Sequence, residues 1–415
     1  MLPRVPCSIM VKTKKTKGVT VLNPYREAIH NQLDELIAFR RELHLHPEVS
    51  FKEFETTDRI CRELDKAGIS YYRLNPTGLY GDLKGTKCES SHTVLLRSDM
   101  DALSILEQTG LDFASVNEGV MHACGHDNHM TVLLAAVKYL HAHPEQFGGT
   151  VRFIFQPAEE LGQGAKAMIG QGVMAGVDRA VGMHIDPILP CGQVSSMEGE
   201  CWAACDVFKI IVHGKAAHGA NPHMGHDALV AASAIVMALQ PLVSRETDPN
   251  AAIVITVGSI VSGTRFNIVA GDAVMEGTCR TFSRDIHAAL PGQMRRVVEN
   301  VALAYGCTAE LEFTVATEVL YSDPAVTRLG MQSVAKIVGE ENAVTCGPKM
   351  IAEDFCYYTL HAPSVFFNLG ARVADESKVF PLHSDHVVFD ESAIEVGASV
   401  FIQTAVDLLD ELNAQ

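Results

Sequence analysis

No run of apolar residues in this chain is long enough to cross a bilayer. The most apolar stretch, 228–239, falls well short of the roughly 20 residues a spanning helix needs, and helical packing explains it. A surplus of positive charge is missing too. Lys and Arg number 33 against 50 Asp and Glu, and the net −17 argues against nucleic acid or an anionic membrane as partner, because both reward a basic face. Small anionic substrates stay open, since they respond to the local field of a pocket. There is no disulfide framework. The eleven cysteines are odd in number and scattered, which favours a reducing compartment and hence the cytoplasm. No secretory signal is expected at the start: Lys12, Lys14, Lys15 and Lys17 precede no continuous apolar core with a cleavage site. A flexible tail over 1–24 is expected, with an organellar presequence as the alternative. No internal repeat or low-complexity segment is present.

What is present is apolar material for two cores. With 415 residues, 47% apolar and 20% charged, the chain exceeds what one compact core accommodates. Ile29, Leu33, Leu36, Ile37 and Leu43 at helical spacing predict a first helix over 25–46, ended by Pro47. A second over 53–67 stops at Gly68. Apolar strands at 93–97, 151–155 and 180–184 lead into Ser98-Asp99-Met100-Asp101, into Gln156-Pro157-Ala158-Glu159-Glu160, and to His184. Asp127 or Asn128 can cap the helix that carries Leu133, Leu134, Val137 and Leu140. Open α/β sheets place their chemistry at such strand ends.

From about 199 to 316 the order becomes strand, helix, strand, strand, helix, strand, at 207–212, 227–243, 252–257, 273–282, 286–304 and 308–315. Two helices on a four-stranded sheet make an α+β sandwich with its own core. A helix at 324–338, a strand at 364–369 and a helix at 392–412 then resume the first rhythm. The expected fold class is α/β. An α/β/α catalytic domain with a central mixed sheet, over 25–198 and 317–415, is interrupted at 199–316 by the inserted α+β sandwich.

The residues that carry chemistry cluster in the first part. Cys124, His126, Glu160 and His184 supply thiolate, imidazole and carboxylate, which borderline transition metals prefer, and Glu159 is a neighbouring carboxylate free of metal. Gly125 permits the sharp bend that turns Cys124 and His126 toward one ion. A buried thiol beside a helix-capping histidine is the other explanation of that pair. Two adjacent carboxylates after a buried strand repel unless a cation or a proton sits with one of them. His184 alone also fits a hydrogen-bonded core histidine. His383 offers a further ligand, with His386 competing. Asp99 and Asp101 can orient a metal-bound histidine from behind, or Asp99 can form a local pair with Arg97. His218, Asn267 and Arg280 are polar residues among strands, and nothing in their own surroundings distinguishes them from turn and surface residues.

Taken together and in order, these motifs resemble the amidohydrolase branch of the aminoacylase/carboxypeptidase superfamily of two-metal hydrolases. That branch includes hippurate hydrolases and hydrolases of indole-acetyl-amino-acid conjugates. The resemblance runs from about Leu36 to Leu409 through Arg40–Glu48, Leu96–Leu103, His122–Asp127, Gln156–Glu160, His218, Asn267, Arg280, Glu353-Asp354-Phe355 and Leu382-His383-Ser384. It implies a binuclear site of Cys124, His126, Glu160, His184 and His383, with Glu159 as general base. It also implies that the inserted domain makes a homodimer in which His218 reaches the partner's site, while Asn267 and Arg280 hold the substrate's carboxylate. Ser104, Val269-Ala270-Gly271 and Asp385-His386 depart from the branch's pattern; none removes a ligand, and all bear on substrate preference.

The activity so implied is hydrolysis of an N-acyl amino acid to a carboxylic acid and a free amino acid, by a water bridging two divalent ions and activated by Glu159. Zinc suits the thiolate, while manganese, cobalt or nickel suit the mixed site. The nearest alternative is a metallo-dipeptidase or carboxypeptidase acting on short peptides. A thiol hydrolase with Cys124 as nucleophile, and a non-catalytic metal-binding dimer, are further alternatives.

Overall fold

The strands Thr93–Asp99 and Ser364–Arg372 are buried on both faces and read as near-continuous apolar runs, as parallel strands covered by helices do. The computed structural model describes residues 23–415, so the tail expected over 1–24 lies outside the described residues apart from its last two. An eight-stranded sheet runs in the order Tyr72–Arg73, Leu79–Lys84, Thr150–Gln156, Thr93–Asp99, Arg179–Pro190, Ser364–Arg372, Val194–Ser196, Ala343–Thr345. Its four central strands pair parallel, and antiparallel pairings flank them, so the sheet is mixed.

The two-residue period of the strands divides two cores. Val94, Leu96, Val151, Phe153, Val181, Met183, Val365 and Phe367 pack under helices His126–Ala142 and Ala393–Asn413. The intervening Leu95, Ile154, Ala180 and Phe366 pack with Ala165, Met168, Phe355 and Tyr358 on the opposite face. Three layers result, helix on sheet on helix.

A four-stranded antiparallel sheet, ordered Ile253–Ser262, Asp272–Thr281, Ala204–His213, Thr308–Thr317, forms between stretches that both feed the larger sheet. Helices Ala228–Ser244 and Arg284–Ala304, capped by the side chains of Asp227 and Ser283, close a core of Phe208, Ile210, Ile235, Leu239, Met275, Leu290 and Met294. A short ribbon pairs Ala217–His218 with Ile268–Val269. No helix among the described residues is long and apolar enough to cross a membrane.

Three local expectations change. The helix over 25–46 is two helices, Pro24–His30 and Leu33–Leu45, parted at Asn31, a weak helix former. The helix expected to be capped by Asp127 or Asn128 begins at His126, because Gly125 takes the left-handed conformation at its N-cap (φ 81°). A side chain there would meet Ile185 Cγ2 at 2.5 Å, so only glycine fits. The strand ending at His184 continues to Pro190, which leaves that histidine in mid-strand.

Candidate active site

The bend at Gly125 turns Cys124 and His126 inward, and three further segments meet them. Glu159 and Glu160 stand just past the strand Thr150–Gln156, on a turn whose Ala158 is left-handed (φ 51°). His184 comes from the strand Arg179–Pro190, two places along the sheet, and His383 from the loop before the last helix. Cys124 Sγ lies 3.3 Å from His184 Nε2 and 3.3 Å from His383 Nε2. His383 Nε2 is 3.5 Å from Glu160 Oε1, and His126 Nε2 is 3.9 Å from the same oxygen. Donor atoms of Cys124, His126 and His184 lie within 4.8 Å of one another, and so do those of Cys124, Glu160 and His383. The two groups share the thiol. His386, the competing histidine, bonds Asp385 at 2.6 Å and belongs to neither group.

The donors fit metal. Both ring nitrogens of His126 and Oε1 of Glu160 are buried without a hydrogen-bond partner, which proteins avoid unless something else satisfies them. His184 Nδ1 donates to Ile185 O at 2.7 Å, so its Nε2 lone pair faces the sulfur. Burial, then the carboxylates of Glu160, Glu159 and Asp99, push the Cys124 thiol well up. Burial, then His129, hold His184 well below the usual histidine range. A neutral thiol beside a neutral imidazole is the reverse of an activated cysteine nucleophile, whereas a cation among them would draw off the thiol proton. Against burial, Asp99 and Asp101 push His126 up to about 10.

Glu159 is buried, and its Oε1 accepts from the Asp354 N–H at 3.3 Å. Burial and the charges of Glu353, Glu160 and Asp354 push its carboxyl well up, against the pull of Arg97. Asp101 accepts the N–H groups of Glu159 and Glu160, each at 3.1 Å, and the Ser50 hydroxyl at 2.6 Å. Asp99 stands one step back from the donors. It accepts from His129 Nδ1 at 2.6 Å and lies 3.7 Å from His126 Nδ1. His129 in turn accepts the Ile185 N–H at Nε2, 2.7 Å away, so both its nitrogens are engaged. Nothing singled out His129 beforehand; its only signal is its place three residues after His126 on one helix face.

Above the donors opens a cavity of about 430 Å³. Leu161, Trp202, Met350, Ile351 and Leu382 form apolar walls, and Arg280 lines it beside Cys205 and Thr317. Arg280 Nη1 donates to Thr278 Oγ1 at 2.6 Å and to Cys279 O at 3.1 Å. His218 and Asn267 are not brought to this cavity. Both are exposed on the short ribbon, where His218 pairs with Ile268 and Asn267 O accepts the Gly219 N–H.

Comparison with known proteins points one way. The family model described as peptidase family M20/M25/M40 matches residues 95–407. The chain is 38% identical to thermostable carboxypeptidase 1 of Saccharolobus solfataricus over 90% of this chain and 95% of that protein. It is 35% identical to an N-acetylcysteine deacetylase of Bacillus subtilis, over 93% of this chain and 99% of that one. A solved structure of a dinuclear metal-binding peptidase from Bacillus subtilis superposes with a TM-score of 0.79 at 34% identity, covering 92% of this chain and 99% of the other.

Proposed function

We propose that this chain, which belongs to peptidase family M20/M25/M40, hydrolyses the amide bond of N-acyl amino acids to a carboxylic acid and a free amino acid. The observation that carries this is the thiol, imidazole and carboxylate cluster on the floor of a cavity with Arg280 on its wall. The protein is a metal-dependent amidohydrolase of two divalent ions. We assign Cys124, His126, Glu160, His184 and His383 to hold them. Bound there, the ions supply Lewis acidity and a water acidic enough to ionise near neutral pH. Glu159 takes the water's proton and passes it to the leaving amine, which suits a buried carboxyl of raised pKa. Arg280 donates paired hydrogen bonds to the substrate carboxylate, as a guanidinium fork does. Asp99, through His129, keeps Ile185 and hence His184 in place.

The thiolate favours zinc; manganese, cobalt and nickel suit the imidazoles and carboxylate. Metal-stripped protein is expected to be silent, and one of these ions to restore hydrolysis of N-acetyl or N-benzoyl amino acids. A likeness to a carboxypeptidase keeps a second substrate class in view. Cleavage of dipeptides or peptide C-termini, with N-acyl amino acids untouched, would move the assignment to a metallo-dipeptidase or carboxypeptidase. Activity that survives metal removal and yields to thiol alkylation would instead make Cys124 the nucleophile.

We assign the segment 199–316 to homodimer formation, with His218 acting in the partner's site and Asn267, which also lies away from its own chain's cavity, joining Arg280 on the substrate carboxylate across the same dimer contact. The exposure of both residues, next to a fully exposed Phe266, supports this. Arg280→Ala is expected to raise KM about tenfold or more, the scale of a lost charge-assisted hydrogen bond. His218→Ala is expected to lower kcat in a protein that sediments as a dimer; a fully active monomer would end the assignment. Every cysteine among the described residues is a free thiol, which supports the cytoplasm as its compartment, a placement that cell fractionation checks.

A further inference from the structure

Among the described residues, three other than glycine have a left-handed backbone: Phe51 (φ 60°), Ala158 (φ 51°) and His383 (φ 65°). Phe51 and Ala158 are far apart in sequence, yet both donate their N–H to one atom, Oε1 of Glu53, at 3.0 and 2.9 Å. The other oxygen of Glu53 accepts the Thr77 hydroxyl at 2.7 Å, and the side chain is wholly buried. Glu53 lines no part of the cavity and belongs to no group of candidate ligands. The next two N–H groups after Ala158, those of Glu159 and Glu160, end on Asp101. Three successive backbone donors therefore point at buried carboxylates, a nest that fixes the turn from beneath.

We infer that Glu53 is a positioning residue that holds Ala158 left-handed and thereby aims Glu159 at the reacting water. The inference rests on the assignment of Glu159 as base. L side chains avoid this backbone region unless surrounding bonds impose it, and such strain persists where a site needs it. Without the Glu53 oxygen the Ala158 N–H is orphaned in a buried place, and the turn relaxes toward the right-handed region. The pin is the accepting oxygen, on which both N–H groups end; burial, opposed by the Thr77 hydroxyl, raises the Glu53 carboxyl to about 7. A glutamine side chain offers that oxygen at the same reach; an aspartate keeps the charge but is one methylene too short.

Three variants, loaded with whichever ion restores activity, test this on an N-acetyl amino acid. Glu53→Gln is expected to stay within about threefold of the parent kcat. Glu53→Asp is expected to lose about tenfold to a hundredfold in kcat, the scale of an ångström's misplacement, with KM and bound metal per chain unchanged. Adding Ala158→Gly to Glu53→Asp is expected to restore most of that loss, since glycine takes the left-handed conformation unaided. Should Glu53→Asp not fold, Thr77→Val, which removes the donor on the far side of the carboxylate, is expected to lower kcat in the same sense. A parent-like kcat in Glu53→Asp overturns the inference. So does a loss that follows metal content or the melting temperature of the metal-free protein and that glycine does not rescue. If Glu159→Gln still turns over, the base assignment falls instead; if Glu159→Gln is dead while Glu53→Asp is unaffected, only the positioning role falls.

Discussion

Glu159→Gln is expected to retain its full complement of metal and to lose about 10²–10⁴-fold in kcat, the range a positioned general base contributes. The substitution is nearly isosteric. The amide oxygen can still accept the Asp354 N–H, and Asp101 still holds the backbone of residues 159 and 160. The candidate ligands Cys124, His126, Glu160, His184 and His383 are untouched, so metal content separates loss of a base from loss of the site. What disappears is a group able to take a proton and return it. The defect therefore belongs in kcat, with KM little changed, because substrate binding is assigned to Arg280 and the apolar walls. Metal-replete Glu159→Gln that turns over at the parent rate would remove Glu159 from the role of base. It would move attention to Glu353 and Asp354, whose carboxyls share one cluster with it.

The expected α/β fold, with a second sheet inserted, is what the structure shows, and the reason lies in the periodicity. Buried strands such as Thr93–Asp99 and the capped helix after Asp227 carry their burial pattern and caps in the residues themselves. The cluster around Cys124 was legible for a similar cause: Cys124, His126 and Glu160 sit in short motifs at a glycine bend and a strand end, although His184 lies in mid-strand and not at the strand end expected of it. What stayed hidden depends on contacts between distant segments. His129 looks like any residue inside a buried helix until the Ile185 N–H is found on its ring. Glu53 looks like an ordinary first-turn glutamate, because its partner at Ala158 is 105 residues away. Trp202, Met350 and Ile351 carry no motif and become cavity wall only once folding has brought their separate segments beside Cys124 and Arg280. The local pair of Arg97 with Asp99, one of two explanations for that segment, is present at 2.6 Å, but it is only the nearest arm of a wider network.

That network carries the second large effect, on stability. Arg97 is wholly buried. It donates to Asp99 Oδ2 at 2.6 Å, to Asp354 Oδ1 at 2.7 Å and to Gln156 Oε1 at 2.9 Å, and its Nη2 lies 2.9 Å from Glu353 Oε1. One guanidinium thus stands among three carboxylates that water does not reach. Burial already raises Asp354 to about 7 in spite of Arg97, whereas His126, His129 and Arg97 together hold Asp99 well below the usual range against its burial. Arg97→Leu removes the cation and leaves its partners in place. Breaking a buried pair from one side typically costs about 3–5 kcal/mol, and that loss is expected in denaturant unfolding of the metal-free protein near pH 8. The pH dependence follows from the sign of the shift. A carboxyl whose folded pKa is raised favours the folded state below its unfolded value, near 4, and that contribution fades as pH rises through the folded value. Without Arg97, Asp354 and Glu353 move further up, so the variant is expected to recover stability relative to the parent on going from pH 8 to pH 5. If the deficit instead stays constant over that range, Arg97 matters through the volume it fills. If there is no deficit at all, the carboxylates are neutralised by some other means, and the network does not hold the sheet's central strands to the segment that carries Glu353 and Asp354.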